Sequence, residues 1–223
     1  MEKDQVSVTA LISAYIRSYH AEHDKAKVFD DFLARQLLTE EEYLSIGQNL
    51  SAGINFFAPE QAASCPDQTT ALAAVMRAVS TPILISRARY TEDNLESAVR
   101  KGVQQYIILG AGFDTFAFRR PELAKQLHIF EVDHLHTQIA KRRRIAELQW
   151  AIPPQLDFIA ADFSKDDLAS ALKVSPYDDH KLSFFSWLGV TYYLSREAIL
   201  ATLHSISKIS PKGSSIIFDY LDS

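Results

Sequence analysis

The order of apolar and polar residues predicts an α/β protein: a doubly wound, mostly parallel sheet preceded by a helical cap. Three observations carry that expectation. Residues 105–109, 128–132, 156–160, 182–187 and 214–219 read as short strands. They alternate with helix-period stretches near 119–126, 134–148, 165–173 and 195–209. The first strand stops at two glycines, in Gln105-Tyr-Ile-Ile-Leu-Gly110-Ala-Gly112-Phe-Asp114-Thr115. The second, Ile129-Phe-Glu131-Val-Asp133, ends in acids. Strand, glycine turn, helix, strand, acid is the order found at nucleotide-type cofactor sites.

Taken in order, the first hundred residues read almost entirely as helix. Val8, Leu11, Ile12, Tyr15, Ile16 and Tyr19 repeat at helical spacing, which predicts a helix over 6–20. A second helix is expected over 28–38. Thr39-Glu-Glu-Glu-Tyr caps a third. Ala58-Pro59 and Cys65-Pro66-Asp67 mark a loop. Helix resumes from Thr69 to Val79, and Pro82 restarts the chain before a long helix, Ile83 to Lys101, that ends at Gly102. The expected division is a helical cap over 1–100 and a cofactor-binding domain over 101–223.

Composition excludes some classes. The chain has 223 residues and a net charge of −5, from 23 basic and 28 acidic residues. Phosphate binders usually show a basic excess, so no nucleic-acid partner is expected. The basic run Lys141-Arg-Arg-Arg144 reads as a solvated helix face. No apolar run approaches the ~20 residues of a membrane helix, so no membrane is expected. Met1-Glu-Lys-Asp-Gln carries no signal-peptide pattern, and the one cysteine, Cys65, reads as an apolar filler. Those features fit a cytoplasmic protein. His20, His23, His134 and His136 are scattered, and no metal set is expected.

The site is read from the strand ends. Gly110 and Gly112, with Ala111 between them, let backbone approach a ligand that a Cβ would block. Asp133 can accept from both hydroxyls of a ribose. A dinucleotide site wants a third glycine three residues on, and Thr115 stands there. A cofactor without phosphates is therefore preferred, and S-adenosylmethionine fits. Its amino-acid tail needs a cation, for which Ser86-Arg87-Ala88-Arg89-Tyr90 offers two arginines that could equally be surface residues. Asp162 and Phe163, after the third strand, could meet an adenine, although Asp162 could instead cap a helix.

Arg87-Ala-Arg-Tyr, Ile108-Leu-Gly-Ala-Gly-Phe-Asp-Thr115, Phe130-Glu-Val-Asp133 and Asp30-Asp31-Phe-Leu-Ala34 together resemble the leucine carboxyl methyltransferase-like branch of class I S-adenosylmethionine-dependent methyltransferases. The bacterial O-methyltransferase members are the closer match, and the resemblance runs from about residue 14 to the end. It implies that Arg87 holds the methionine carboxylate and that Gly110, Ala111 and Gly112 floor the cofactor. It implies that Asp133 takes the ribose, with Glu131 beside it, and that Asp162 and Phe163 meet the adenine. Leu188 stands where the family often has a glutamate. The implied fold ends in two further strands, and the sequence stops just after the fifth, so those strands are expected to be missing. The implied reaction is methyl transfer to a carboxylate or hydroxyl of a small molecule. Tyr192 and Tyr193 are candidates for positioning that acceptor. Two alternatives stay open: a nicotinamide-dependent oxidoreductase, and a catalytically silent binding protein of the same fold.

Overall fold

The computed structural model describes residues 6–220. The expectations about Met1–Gln5 and about the last residues, Leu221–Ser223, lie outside them. Two compact units are resolved: one holds Ser7–Tyr90 with Phe113–Thr115, the other Thr91–Gly112 with Phe116 onward.

The helical unit begins with α1, Val8–His23, capped by Ser7, whose hydroxyl accepts from Ala10 N. The expected helix over 28–38 is absent. Only a short 3-10 turn, Ala34–Leu37, forms there, because the Asp31 carboxylate captures Ala34 N and turns the chain. Helix α2, Glu40–Ala52, starts with the expected capping box, in which Thr39 and Glu42 each accept from the other's backbone. The expected loop carries two single turns, α3 (Ile54–Phe57) and α4 (Pro59–Ala62). Helix α5, Gln68–Val79, buries Ala71, Ala74, Val75 and Met76. Pro82 does not interrupt the helical path. It sits in a π-helical stretch, Ser80–Ile85, that leads directly into α6, Ser86–Arg100. A wider turn absorbs the ring and the missing N–H. Gln68–Arg100 is thus one run of 33 residues, long and apolar enough to cross a membrane by length and composition alone. The expectation that no such run exists does not hold. The core helix of a globular protein meets the same test, and 31% of the apolar window of this run is buried.

The sheet unit is built from five parallel strands in the order β3-β2-β1-β4-β5. They are β1 (Gln105–Leu109), β2 (His128–Asp133), β3 (Leu156–Ala160), β4 (Ser183–Trp187) and β5 (Ser215–Phe218). All fall within a residue of the expected bounds. Between them lie α7 (Phe116–Arg119), α8 (Pro121–Ala124), α9 (Leu135–Glu147), α10 (Leu168–Lys173) and α11 (Arg196–Ile209). Side chains alternate along each strand and feed two cores. Tyr106, Ile108, Ile129 and Phe184 pack on one face with Leu95 of α6 and Phe116 of α7. Ile107, Leu109, Phe130 and Trp187 pack on the other with Leu168 of α10 and Ile206 of α11. Because Leu95, Ala98 and Val99 join the first core, the units divide at Tyr90 rather than at residue 100.

Candidate functional site

Parallel strands place all their carboxyl ends on one edge of the sheet, and the order reverses between β1 and β4. The glycine turn leaves β1 at that edge. Gly110 has φ +72° and Gly112 φ +53°, left-handed conformations that cost an L side chain about 1–2 kcal/mol. A Cβ on Gly110 would also run into a methyl of Val190. The N–H groups of Gly110 and Ala111 both donate to the Val132 carbonyl, at 2.7 and 3.3 Å.

Asp133 closes this turn. One carboxylate oxygen accepts from Gly112 N, the other from His134 N at 2.6 Å. Its own carbonyl accepts from Ala161 N at 2.9 Å, so one residue ties together the ends of β1, β2 and β3. The residue is only half-buried by area. Its carboxyl is nevertheless desolvated enough to sit above the usual aspartate range, with the Gly112 and His134 N–H groups and the Lys141 charge opposing that rise.

Glu131 lies on the same face, as strand alternation requires. Its environment is different. It is buried, and its carboxylate meets the equally buried Lys141 ammonium of α9 at 2.5 Å. The sequence offered the two acids together for the ribose side, and the structure separates them: Asp133 is at the edge, Glu131 in the core. The basic run is corrected by the same contact. Arg142 and Arg143 are exposed, but Lys141 is not part of a solvated face. Thr137, Lys141 and Ile145, four residues apart, form the buried stripe of α9. That spacing was the available signal.

Asp162 sits after β3 and is committed to its own turn. One oxygen accepts from Ser164 N and Ser164 Oγ, at 3.0 and 2.5 Å, and the other from Lys165 Nζ. The Lys165 and Ser164 contacts hold its carboxyl down at about 2. It is not the helix cap. Asp167 has that role and accepts from Ser170 N at 3.0 Å. Phe163 is half-buried and tilts against Trp187 of β4, ring centroids 6.0 Å apart. After β4, Leu188 is half-buried and supplies no carboxylate. Gly189 N donates to an Asp219 carboxylate oxygen at 2.8 Å, which fixes this loop to the end of β5. Tyr192 is half-buried and Tyr193 exposed, on one 3-10 turn.

Arg87 and Arg89 belong to the helical unit, on the first turn of α6, where Arg87 is half-buried and Arg89 exposed. His134 and His136 stack on each other at 5.5 Å. His20 is buried, with Nδ1 2.5 Å from Asp24 and Nε2 accepting from Val28 N, so its role is to hold the loop after α1.

A model of the family described as leucine carboxyl methyltransferase matches residues 10–207. YktD of Bacillus subtilis (strain 168), assigned by name to the S-adenosyl-L-methionine-dependent methyltransferases, is 40% identical over 223 residues, 100% of this chain and 73% of that protein. A protein of Mycolicibacterium paratuberculosis (strain ATCC BAA-968 / K-10), assigned by name in the same way, is 32% identical over 135 residues. That stretch is 60% of this chain and 50% of the relative. Among solved structures, the apo form of the S-adenosylmethionine-dependent methyltransferase SibL aligns with 93% of this chain and 54% of that one, at 18% identity and a TM-score of 0.45. With the family's model matched over most of its residues and YktD matched over all of them, the chain belongs to the leucine carboxyl methyltransferase family of S-adenosylmethionine-dependent methyltransferases.

Proposed function

We propose that this chain binds S-adenosylmethionine at the strand-end edge and directs its methyl group to an oxygen of a small molecule, a carboxylate or a hydroxyl. The observation that carries the cofactor reading is the join between Gly112 and Asp133: a left-handed glycine turn whose N–H meets a half-exposed carboxylate at the end of the neighbouring strand. Each carboxylate oxygen keeps a lone pair for a hydroxyl after accepting one backbone N–H. The residues fit a ribose there.

They fit a dinucleotide poorly. A pyrophosphate wants the N-terminus of a substantial helix behind the glycines. Here the turn is followed by α7, of four residues, and the Thr115 hydroxyl already donates to Asp31.

When bound, S-adenosylmethionine supplies a methyl carbon already activated by its sulfonium. The chain's task is then to hold and align the reactants, which supplies most of the acceleration in such displacements. Asp133 would orient the ribose, and Gly110, Ala111 and Gly112 would floor the cofactor. Phe163 would face the adenine ring, with the turn made by Asp162 beneath it. An ionised carboxylate acceptor needs no general base, and the loop after β4 offers none in place of Leu188.

Calorimetry with S-adenosylmethionine, S-adenosylhomocysteine and NAD tests the cofactor reading. Binding of the first two alone is expected; binding of NAD alone would return the oxidoreductase. For the acceptor, a radiolabelled methyl group transferred from the cofactor should be released by mild base if the product is an ester. A base-stable product assigns a hydroxyl or another atom.

A further inference from the structure

The Asp30-Asp31 motif has no role in the methyl transfer proposed for this chain, and the structure treats its two acids differently. Asp30 is about half exposed and meets only Lys27, at 3.4 Å, among the ion pairs of the described residues. Asp31 is 1% exposed. Its Oδ2 accepts from Arg17 Nε at 2.8 Å. Its Oδ1 accepts from the Thr115 hydroxyl at 2.7 Å and from Ala34 N at 3.1 Å. The same Arg17 guanidinium donates a second time, to the carbonyl of Phe113 at 2.7 Å. These contacts form a closed ring through Asp31, Thr115, Phe113 and Arg17. The ring holds the Phe113 carbonyl and the Thr115 hydroxyl, on either side of Asp114, in the stretch directly after Gly112.

We propose that Asp31 is a positioning residue: with Arg17 and Thr115 it clamps the outgoing arm of the glycine turn, so that the turn is ordered before the cofactor arrives. This inference rests on the S-adenosylmethionine reading. The turn's incoming arm is held by sheet contacts, Gly110 N and Ala111 N on Val132 O, and its centre by Gly112 N on Asp133. The outgoing arm, Phe113–Thr115, groups with the helical unit instead. A turn with two left-handed glycines is costly to order, and a binding site that is loose when free charges that cost to the ligand. A buried carboxylate that accepts from a guanidinium, a hydroxyl and a backbone N–H is a rigid anchor for it. The clamp also accounts for Thr115 at the third glycine position: the hydroxyl is needed where a dinucleotide site needs the absence of a side chain.

The test uses the full chain in five forms: wild type, Thr115→Val, Thr115→Ser, Asp31→Asn and Asp30→Asn. Amide exchange is read in the turn of the free protein, and S-adenosylhomocysteine affinity by calorimetry on the folded fraction. Thr115→Val keeps the side-chain shape and removes the donor. It should speed exchange at residues 112–115 and weaken S-adenosylhomocysteine about tenfold, the scale of one hydrogen bond to a buried charge. Thr115→Ser should restore both, and Asp30→Asn should change neither. A purely structural role would lower the melting temperature of Thr115→Val while leaving the affinity of folded molecules unmoved. Affinity for Thr115→Val within about twofold of wild type overturns the clamp, because that is well under the loss expected for the bond. Should Asp31→Asn fail to fold, the two Thr115 variants still decide. Absence of S-adenosylhomocysteine binding in the wild type is a different failure: it removes the cofactor reading, and the clamp's purpose with it.

Discussion

Asp133 shows how much one side chain carries in this molecule. Both of its carboxylate oxygens accept backbone N–H groups, from Gly112 and His134. Asp133→Asn would set an amide donor against one of them, so it should harm the turn as well as the charge. Asp133→Ala should lower cofactor affinity by about 1.5–3 kcal/mol, the scale of a hydrogen bond to a charged group, in a calorimetric titration. A 2′-deoxy analogue should then lose affinity for the wild type and little more for the variant; additive losses would show that Asp133 does not touch the ribose. Acidity adds a signature. Burial raises this carboxyl, so it takes its proton at a higher pH in the fold than in the unfolded chain. As pH falls through that window the free fold gains stability, while the ionised acceptor is lost. Cofactor affinity should therefore decline on acidification from a pH above the ordinary aspartate range, and Asp133→Ala should flatten that decline. Gly110 is constrained twice, by φ +72° and by Val190. Gly110→Ala should lower unfolding stability by at least about 1–2 kcal/mol from the backbone alone. Val190→Ala in the same chain should recover the clash but not the backbone part, measured as a double-mutant cycle in urea.

Among the elements, α9 is held to β2 by an ion pair inside the core. Glu131 and Lys141 are each 1% exposed and 2.5 Å apart. Taking two charges from water costs several kcal/mol per ion, which their attraction offsets only while both are present. Lys141→Met should therefore be severe, by about 3–5 kcal/mol, since it removes one partner of a buried ion pair. Replacing both residues, as Glu131→Leu with Lys141→Met, should recover most of that loss in the same denaturant titration. If Lys141→Met alone is near neutral, water reaches the carboxylate and the pair is not a core contact. The pair bears on the glycine turn because α9 and that turn share β2: the strand is anchored by Glu131, two positions before Asp133.

For the whole molecule, a ligand that binds only the native state stabilises it by mass action. S-adenosylhomocysteine at a hundred times its dissociation constant should add about 2.7 kcal/mol. For a chain of this size that is about 5–10 °C in melting temperature, at ~2–4 °C per kcal/mol. NAD at equal concentration should give no shift, and S-adenosylhomocysteine at the wild-type concentration should give Asp133→Ala a smaller one, about 0.3–1.3 kcal/mol for the affinity loss expected above. A shift with NAD alone would overturn the assignment of the cofactor.

The sheet, its strand bounds and the glycine turn with the acid after it were legible in the order of residues alone. These are local: an apolar run of strand length, a residue that alone tolerates φ near +70°, and a period that changes from 2 to 3.6 are all written within a few neighbouring positions. Thr39 with Glu42 was legible for the same reason, as a contact between residues three apart. The use of each polar group was settled only by folding. Glu131 and Asp133 are two positions apart and identical in chemistry to a reader of sequence, yet a lysine ten residues on takes one into the core. Asp31 and Thr115 are separated by 84 positions, and nothing local marks either as the other's partner. Asp31 turns the chain where the periodicity of 28–38 promised a helix, because buried donors outweigh weak helical propensity. Pro82 was read as a break and lies inside one continuous run, because a π turn can absorb what an α turn cannot. Backbone pattern is set by near neighbours; the use of a buried charge is set by whichever distant group arrives to satisfy it.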